Sequence, residues 1–352
     1  MASPTVVVIG AGVIGLSCAV HLQTKLAEED CLRNHKLVLI AREWPSLPVP
    51  GASTASVNYA SMWAGAHVRP IPATTAQLQR EARWLKRTTT EFKRKTEEDE
   101  PLCGITRTGG IEYIEEPSSA YLSQDADGFE EQSGLDGYRR IDASELPQGV
   151  TLGFRYETFC LDPPLYCDHL LRRFLLGGGK AVRKDLGSEW QPFVAEEDDQ
   201  QQQQQQVVLV INASGIGFGD VRCFPTRADT VTRQHKDGSK SFLVPRSFCG
   251  GTVVGGTTEA RDWRDGADVT TRERLLASAV AIFGASGGRR PTREGGMRVE
   301  VEEREDGGSI ERVIHAYGAG GRGFEMSWGV AEEVSRLAMP LLLCTLISTS
   351  NA

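Results

Sequence analysis

Apolar residues in this chain gather in short unbroken runs more often than they alternate with polar ones. Val6-Val7-Val8-Ile9, Leu37-Val38-Leu39-Ile40-Ala41 and Val207-Val208-Leu209-Val210-Ile211 are each bounded by polar or glycine-rich sequence. Runs of that length predict strands buried on both faces, as in a parallel sheet. Helical spacing follows the first run, from Val13 to about Lys25, with Ala27 to His35 reading as an insertion before the second. Further helices are predicted over Thr75 to about Thr96, Leu165 to Leu176, Val269 to Phe283 and Trp328 to Leu337. Asp162-Pro163-Pro164 opens the second of these by the acid-cap and early-proline rule, and Gly177-Gly178-Gly179 stops it. Strands are predicted at 109–114, 153–157, 180–183 and 310–315, with an extended segment from Arg290 to Val301. Ser241–Arg246 and Gly251–Thr257 read as an antiparallel pair. Residues 115–150 are mostly polar and read as loop with a short helix at 143–146. Acid residues 196–199 followed by glutamines 200–206 cannot build a core and read as a solvated loop. The apolar tail Leu337 to Ile347 contains Pro340 and is expected to be a packed helix end that frays.

The first run carries the sharpest chemistry. Gly10, Gly12 and Gly15 form G-x-G-x-x-G where a strand turns into a helix. The first glycine permits the turn, the second lets backbone approach a pyrophosphate, and the third lets helix pack close on strand. The helix N-terminus offers N–H groups and partial positive charge to phosphate. The second strand ends in Arg42-Glu43, where an acid can accept a ribose hydroxyl. Glu43 lies 28 positions after Gly15, against a usual spacing of about 20, and the insertion accounts for the excess. A second glycine-rich turn, Gly318 to Gly323, lies between a strand and a helix near the other end of the chain. One ligand long enough to touch both turns is expected, and FAD has that length where a mononucleotide does not.

Composition narrows the class. The chain has 352 residues, 40% hydrophobic and 24% charged, which suits one large or two interleaved domains. A net charge of −8 argues against nucleic acid as the main partner. No apolar run reaches the roughly 18 residues of a bilayer span, so no membrane association is expected. Eight cysteines without C-x-x-C spacing and six scattered histidines suggest no metal site and reduced thiols. Met1-Ala2-Ser3-Pro4 runs straight into the first strand, so a cytoplasmic location is expected.

The ordered set of motifs resembles the D-amino-acid oxidase family, and its fungal members in particular. It comprises Val8-Ile9-Gly10-Ala11-Gly12-Val13-Ile14-Gly15-Leu16-Ser17, Ala41-Arg42-Glu43, Trp63-Ala64-Gly65-Ala66 and Tyr156-Glu157-Thr158. It continues through Pro164-Leu165-Tyr166-Cys167, Asn212-Ala213-Ser214-Gly215, Arg290-Pro291, His315-Ala316-Tyr317-Gly318 and Ser327-Trp328-Gly329. The resemblance implies an α/β fold, a Rossmann-like FAD-binding domain interleaved with an antiparallel-sheet substrate domain of α+β type. The expected boundaries are 5–75, 150–220 and 310–340 for the cofactor domain, 76–149 and 221–309 for the substrate domain, and 341–352 for a tail. It implies hydride transfer from a D-amino acid to FAD, with O2 reduced to H2O2. The imino acid then hydrolyses to a keto acid and ammonia. The partners implied are a small-molecule substrate and O2, and a homodimer is left open.

Carried over by position, the resemblance places Gly10, Ala11, Gly12, Val13, Ile14 and Gly15 at the FAD phosphates and Arg42 and Glu43 at the adenosine. Ser56, Gly65, Ala66 and His67 match a second flavin loop, and Leu186 a backbone contact to adenine. Gly320, Gly321, Gly323 and Phe324 match the turn that closes on the flavin ring. Arg290 matches the arginine that grips the substrate carboxylate, with Phe242, Thr258 and Gly321 around the substrate. Fungal relatives carry tyrosines at the positions of Phe242 and Thr258, and Arg227-Ala228-Asp229 replaces an Arg-Gly-Gln. The chain is shorter before Arg290, and Ser350-Asn351-Ala352 lacks a Ser-Lys-Leu address. Three readings stay open: a D-amino-acid oxidase, a flavin oxidase of non-standard substrate such as a tailoring enzyme of fungal secondary metabolism, and a flavin-binding paralogue without turnover.

Overall fold

A computed structural model describes residues 3–45, 56, 58–97, 103–194, 205–226, 233–234, 240–245, 252–255 and 290–350. In chain order the elements begin β1 (Ser3–Ile9), α1 (Val13–Glu28), β2 (Lys36–Ala41), α2 (Ala76–Glu97) and β3 (Ile105–Ile114). Next come α3 (Ser119–Ser123), α4 (Ala126–Ser133), β4 (Arg139–Arg140), β5 (Leu152–Leu161), α5 (Pro163–Leu176) and β6 (Lys180–Arg183). Then follow β7 (Gln205–Asn212), β8 (Cys223–Thr226), β9 (Arg233–Gln234), β10 (Lys240–Pro245) and β11 (Thr252–Gly255). The chain closes with β12 (Arg290–Arg293), β13 (Arg298–Asp306), β14 (Ser309–Tyr317) and α6 (Gly323–Ser350).

The described residues form two six-stranded sheets. The first has the order β13-β14-β7-β1-β2-β6, and every pairing is parallel except the β13–β14 hairpin. Its centre is fully apolar: Val6, Val8, Leu39, Leu209, Val210 and Ile211 show almost no exposed surface. The unbroken runs became buried parallel strands because α1, α5 and α6 cover one face and Trp190, Phe193 and Phe218 pack on the other. The second sheet has the order β11-β10-β9-β3-β5-β4 and is mostly antiparallel. A two-stranded ribbon, β8 with β12, is separate from both and bridges the turn after β14 through Thr292 and Ala319. This is the α/β architecture with a separate antiparallel sheet.

Several local expectations shift. β5 falls inside 150–220, yet it pairs along ten residues with β3 of the second sheet. β13 falls inside 221–309, yet it closes a hairpin onto β14 in the first. Pairing partner, not position in the chain, decides sheet membership. The polar stretch 115–150 holds two short helices, α3 and α4, beside a single turn at 143–145. Helix 269–283, the shortened segment before Arg290 and most of the glutamine tract lie outside the described residues.

The expected terminal helix covers 328–337, with the tail to Ile347 a packed helix end that frays. Instead α6 starts at Gly323 and runs through Pro340 to Ser350. Val334, Ala338 and Leu342, four residues apart, are all buried, so one apolar stripe crosses the proline and stays packed. Proline removes one backbone bond, but continuous burial on either side keeps the helix together.

Helices α2 and α6 approach at Gly329, where an added Cβ would lie 2.3 Å from Trp84 Cα and 2.3 Å from its carbonyl oxygen. Backbone cannot move aside as a side chain does. Gly329→Ala is therefore expected to lower stability by about 1–3 kcal/mol, read as a reduced denaturant midpoint of the purified protein.

Candidate functional site: a dinucleotide crevice

The carboxyl ends of β1, β2, β7 and β14 open on one crevice of about 440 Å³. Its floor is the first glycine turn, Gly10 to Ile14. Gly10 has φ +99°, and a Cβ there would sit 2.4 Å from the Ala213 carbonyl oxygen. A Cβ on Gly15 would sit 1.8 Å from the Gly10 carbonyl oxygen. These contacts seat α1 directly on β1 and β7, and they leave bare backbone facing the crevice at Ala11 and Gly12. The N-cap residue of α1, Gly12, has no side chain to cap the helix, and no acid stands in its first turn, so its positive end faces the space. Among the first amides, the Val13 N–H donates to Ser61 Oγ (3.0 Å).

Facing walls complete the groove. Ile40, Ala41, Arg42 and Glu43 come from the end of β2, and Lys184, Asp185 and Leu186 from the end of β6. Arg42 reaches Asp185 across the mouth at 3.5 Å, both side chains exposed. Ala213 to Ile216 and Phe218 follow β7, and Ala316 to Gly321, Gly323 and Phe324 close the far end with Pro291. The N-termini of α1 and α6 thus meet in one crevice, floored by backbone that side chains would fill. That arrangement fits a long, pyrophosphate-bearing ligand and not a compact one.

Of the residues expected at the cofactor, Gly10, Ala11, Gly12, Val13, Ile14, Arg42, Glu43, Leu186, Gly320, Gly321, Gly323 and Phe324 line this crevice. Gly15 sits behind it, under α1. Ser56, Gly65, Ala66 and His67 are not among the lining residues; Asn58, Tyr59, Ala60, Ser61 and Ala64 take that wall. The physical reason is pairing. Val68 N–H donates to Phe159 O, Leu161 N–H to Ala66 O, and His67 bridges Cys160, so this stretch is held against β5. Ser56 stays exposed, and its carbonyl accepts from Trp63 Nε1 at 2.9 Å. Arg290 begins β12 opposite Thr226, and Phe242 lies in β10 opposite Gly255. Thr258 lies outside the described residues.

Two features escaped the sequence reading. Tyr59 is buried beside the first glycine turn, and its hydroxyl donates to the Ala11 carbonyl. Burial, then Cys167 and Glu43, push its phenol well above the usual range, so it stays a donor. The second is a buried charge cluster between the second sheet and the closing turn. Arg69 Nε donates to Glu112 Oε1 (2.8 Å), and Tyr156 reaches the same oxygen (3.4 Å). The Arg69 backbone N–H donates to Glu325 Oε2 (2.9 Å). Arg322, next to the closing glycines, pairs with Glu325 and with Glu81 (2.5 Å). Burial opposes the Arg69 charge, but the Glu112 carboxylate outweighs it and holds the guanidinium protonated. One signal was legible: Glu112 interrupts Gly110-Ile111-Glu112-Tyr113-Ile114, an acid on a strand that is otherwise apolar there.

Two glycine turns facing across one crevice, at the carboxyl ends of a parallel sheet, define a dinucleotide-binding α/β protein. A family model described as FAD dependent oxidoreductase matches residues 5–337. The chain belongs to this family of FAD-dependent oxidoreductases, and its cofactor is FAD. A D-aspartate oxidase of Talaromyces thermophilus is 40% identical over 364 residues, covering 96% of this chain and 95% of that one. A D-amino-acid oxidase of Fusarium vanettenii is 26% identical, covering 95% and 96%. Among solved structures, a glycine oxidase from Bacillus cereus ATCC 14579 shares the fold, with a TM-score of 0.62 at 14% identity, covering 95% and 94%. An L-alpha-glycerophosphate oxidase from Mycoplasma pneumoniae, solved with FAD bound, has a TM-score of 0.60 at 14% identity, covering 96% and 95%. Among the described residues no helix is long and apolar enough to cross a membrane, and no group of three or more His, Cys, Asp and Glu is placed to hold a metal.

Two outcomes follow from the buried groups. Burial, reinforced by the Arg69 charge, lowers the His67 imidazole to about 4. The unfolded chain binds that proton near pH 6.5 and the folded chain only near pH 4, so the unfolded state holds more protons in between. Stability should therefore fall as pH drops from 6.5 towards 4, by about 2 kcal/mol between pH 7 and pH 5 from this group. His67→Gln should remove that part of the acid sensitivity in urea titrations at the two pH values. Glu112→Ala leaves the Arg69 charge buried and unpaired, and should cost about 3–5 kcal/mol, visible as a large loss of thermal stability.

Proposed function

We propose that the protein is an FAD-dependent oxidase of D-amino acids, with an acidic D-amino acid such as D-aspartate the first substrate to test. The observation that carries this reading is the near full-length, 40% identical relative named D-aspartate oxidase. FAD, when bound, takes two electrons and the Cα hydrogen from the substrate and passes the electrons to O2, giving H2O2. The chain's own residues bind and orient. The Gly10 to Ile14 turn and the α1 N-terminus take the pyrophosphate. Arg42, Glu43 and the Leu186 backbone border the adenosine end. The turn Gly320 to Phe324, at the N-terminus of α6, faces the flavin end and favours negative charge there. Arg290 supplies a planar fork for the substrate carboxylate. Phe242 and Thr258 leave that carboxylate without the phenol hydroxyls of fungal relatives, which places more of the binding on the arginine.

The test uses purified, FAD-loaded protein under anaerobic conditions. D-Aspartate is expected to bleach the flavin absorbance, and D-alanine to do so at higher concentration. Bleaching by neither, in a protein that retains its flavin, would reject the reading. Arg290→Ala should raise KM for the oxidised amino acid by about a hundredfold or more, as loss of a charge-assisted bidentate contact implies. An unchanged KM would remove Arg290 from its role.

A further inference from the structure

A second polar network, distinct from the crevice, ties the ribbon to its rim. Asp220 stands in the loop between β7 and β8. Its Oδ2 accepts from Arg293 Nε at 2.8 Å and from the Tyr317 hydroxyl at 2.9 Å. Its Oδ1 accepts from the Arg222 amide at 2.9 Å. The Asp220 and Arg293 side chains are 14% and 13% exposed, so water competes little for the pair. Burial alone would raise the Asp220 carboxyl, but these three bonds outweigh it and hold it down at about 2. It is therefore an ionised acceptor at any physiological pH.

Each partner belongs to a different part of the site. Tyr317 lines the cofactor crevice and ends β14. Arg293 ends β12, the four-residue strand that begins with Arg290. Among the described residues β12 has only β8 as a sheet neighbour, and a two-stranded ribbon is marginal on its own. Its placement must come from outside the ribbon. Thr292 bridges Ala319, and Glu294 N–H donates to Arg222 O (2.9 Å). A Cβ on Gly318 (φ +85°) would come 2.5 Å from Arg293 Cβ, so the strand lies hard against the closing turn. Tyr317 is braced in turn, accepting from Arg298 Nη1 (3.2 Å), whose Nη2 holds Glu302 (2.7 Å).

We infer that Asp220 is a positioning residue. By joining Arg293 to Tyr317 it holds β12 in register with the crevice rim, and so sets how well Arg290 meets a substrate carboxylate. The inference rests on the reading of Arg290 given above. Asp220 touches neither substrate nor cofactor in this role, and its effect belongs to carboxylate affinity and not to the oxidation step.

The test compares full-length, FAD-loaded wild type with Asp220→Asn, Arg293→Met, Arg293→Lys and the Asp220→Asn/Arg293→Met double variant. Propionate and succinate serve as carboxylates with no oxidisable C–N bond, titrated against the flavin spectrum. Asp220→Asn and Arg293→Met should each raise Kd about tenfold or more, as loss of a charge-assisted bond implies. The double variant should be no worse than either, because both cut one tie. Arg293→Lys should keep Kd within about threefold, since it retains the cation. KM for the oxidised amino acid should rise while kcat at saturation stays within about threefold. Wild-type Kd in Asp220→Asn and Arg293→Met, multiplicative losses in the double variant, or a fall in kcat with KM unchanged would each overturn the inference while leaving the Arg290 reading intact. Flavin-loaded wild type that responds to neither carboxylate would overturn the Arg290 reading and this inference with it. If Asp220→Asn does not fold, the Arg293 pair decides.

Discussion

The molecule depends on one contact between backbones. Gly15 lies over the Gly10 carbonyl and Gly10 lies against Ala213, each closer than any Cβ would allow. That contact sets α1 on the sheet at the point where β1 and β7 end side by side. Three consequences follow together. The helix N-terminus points into the gap between strand ends, the turn presents backbone instead of side chains, and the crevice has depth at its floor. A side chain at either glycine would push α1 away from the strand ends and so spoil the floor of the crevice.

The far end of the crevice is organised differently. There the closing turn is held by charges. Arg322 is clamped by Glu325 and Glu81, while Glu325 also receives the Arg69 amide, and Arg69 reaches Glu112 in the second sheet. Such a cluster adds little net stability, because desolvation offsets most of the attraction. Its effect lies in the alternatives: any slip of α6 against β3 would strand a buried charge. On the ribbon side, Asp220 plays the same part for β12 with Arg293 and Tyr317. The two sheets therefore meet the cofactor crevice through polar ties of fixed geometry, and the apolar core carries the bulk of the folding energy.

Much of the first sheet was legible in the chain. Val6 to Ile9, Leu37 to Ala41 and Val207 to Ile211 read as buried strands because a strand covered on both faces is apolar along most of its length. The glycine spacing was legible because each glycine answers a local steric demand. The core of the terminal helix was legible, but its full extent was not. Pro340 is a local stop signal, and only packing of Val334, Ala338 and Leu342 against neighbours overrides it. The bridge between His67 and Cys160 was not legible either, because the two lie far apart in the chain.

The sequence by itself determined the buried parallel strands, the two glycine turns, the cofactor length they imply and the resemblance to flavin oxidases. Each of these is written in contiguous residues, where periodicity and steric need are local. Only the tertiary structure decided that β5 joins β3 and that β13 joins β14, that Tyr59 braces the first turn, and that Arg69, Glu112, Glu325 and Arg322 form one cluster. It also brought Asp220, Arg293 and Tyr317 to one point. Apart from the β13–β14 hairpin and the Arg322–Glu325 pair, these are contacts between residues tens to hundreds of positions apart, and no local pattern encodes which charge, of the many on the chain, will be buried beside which.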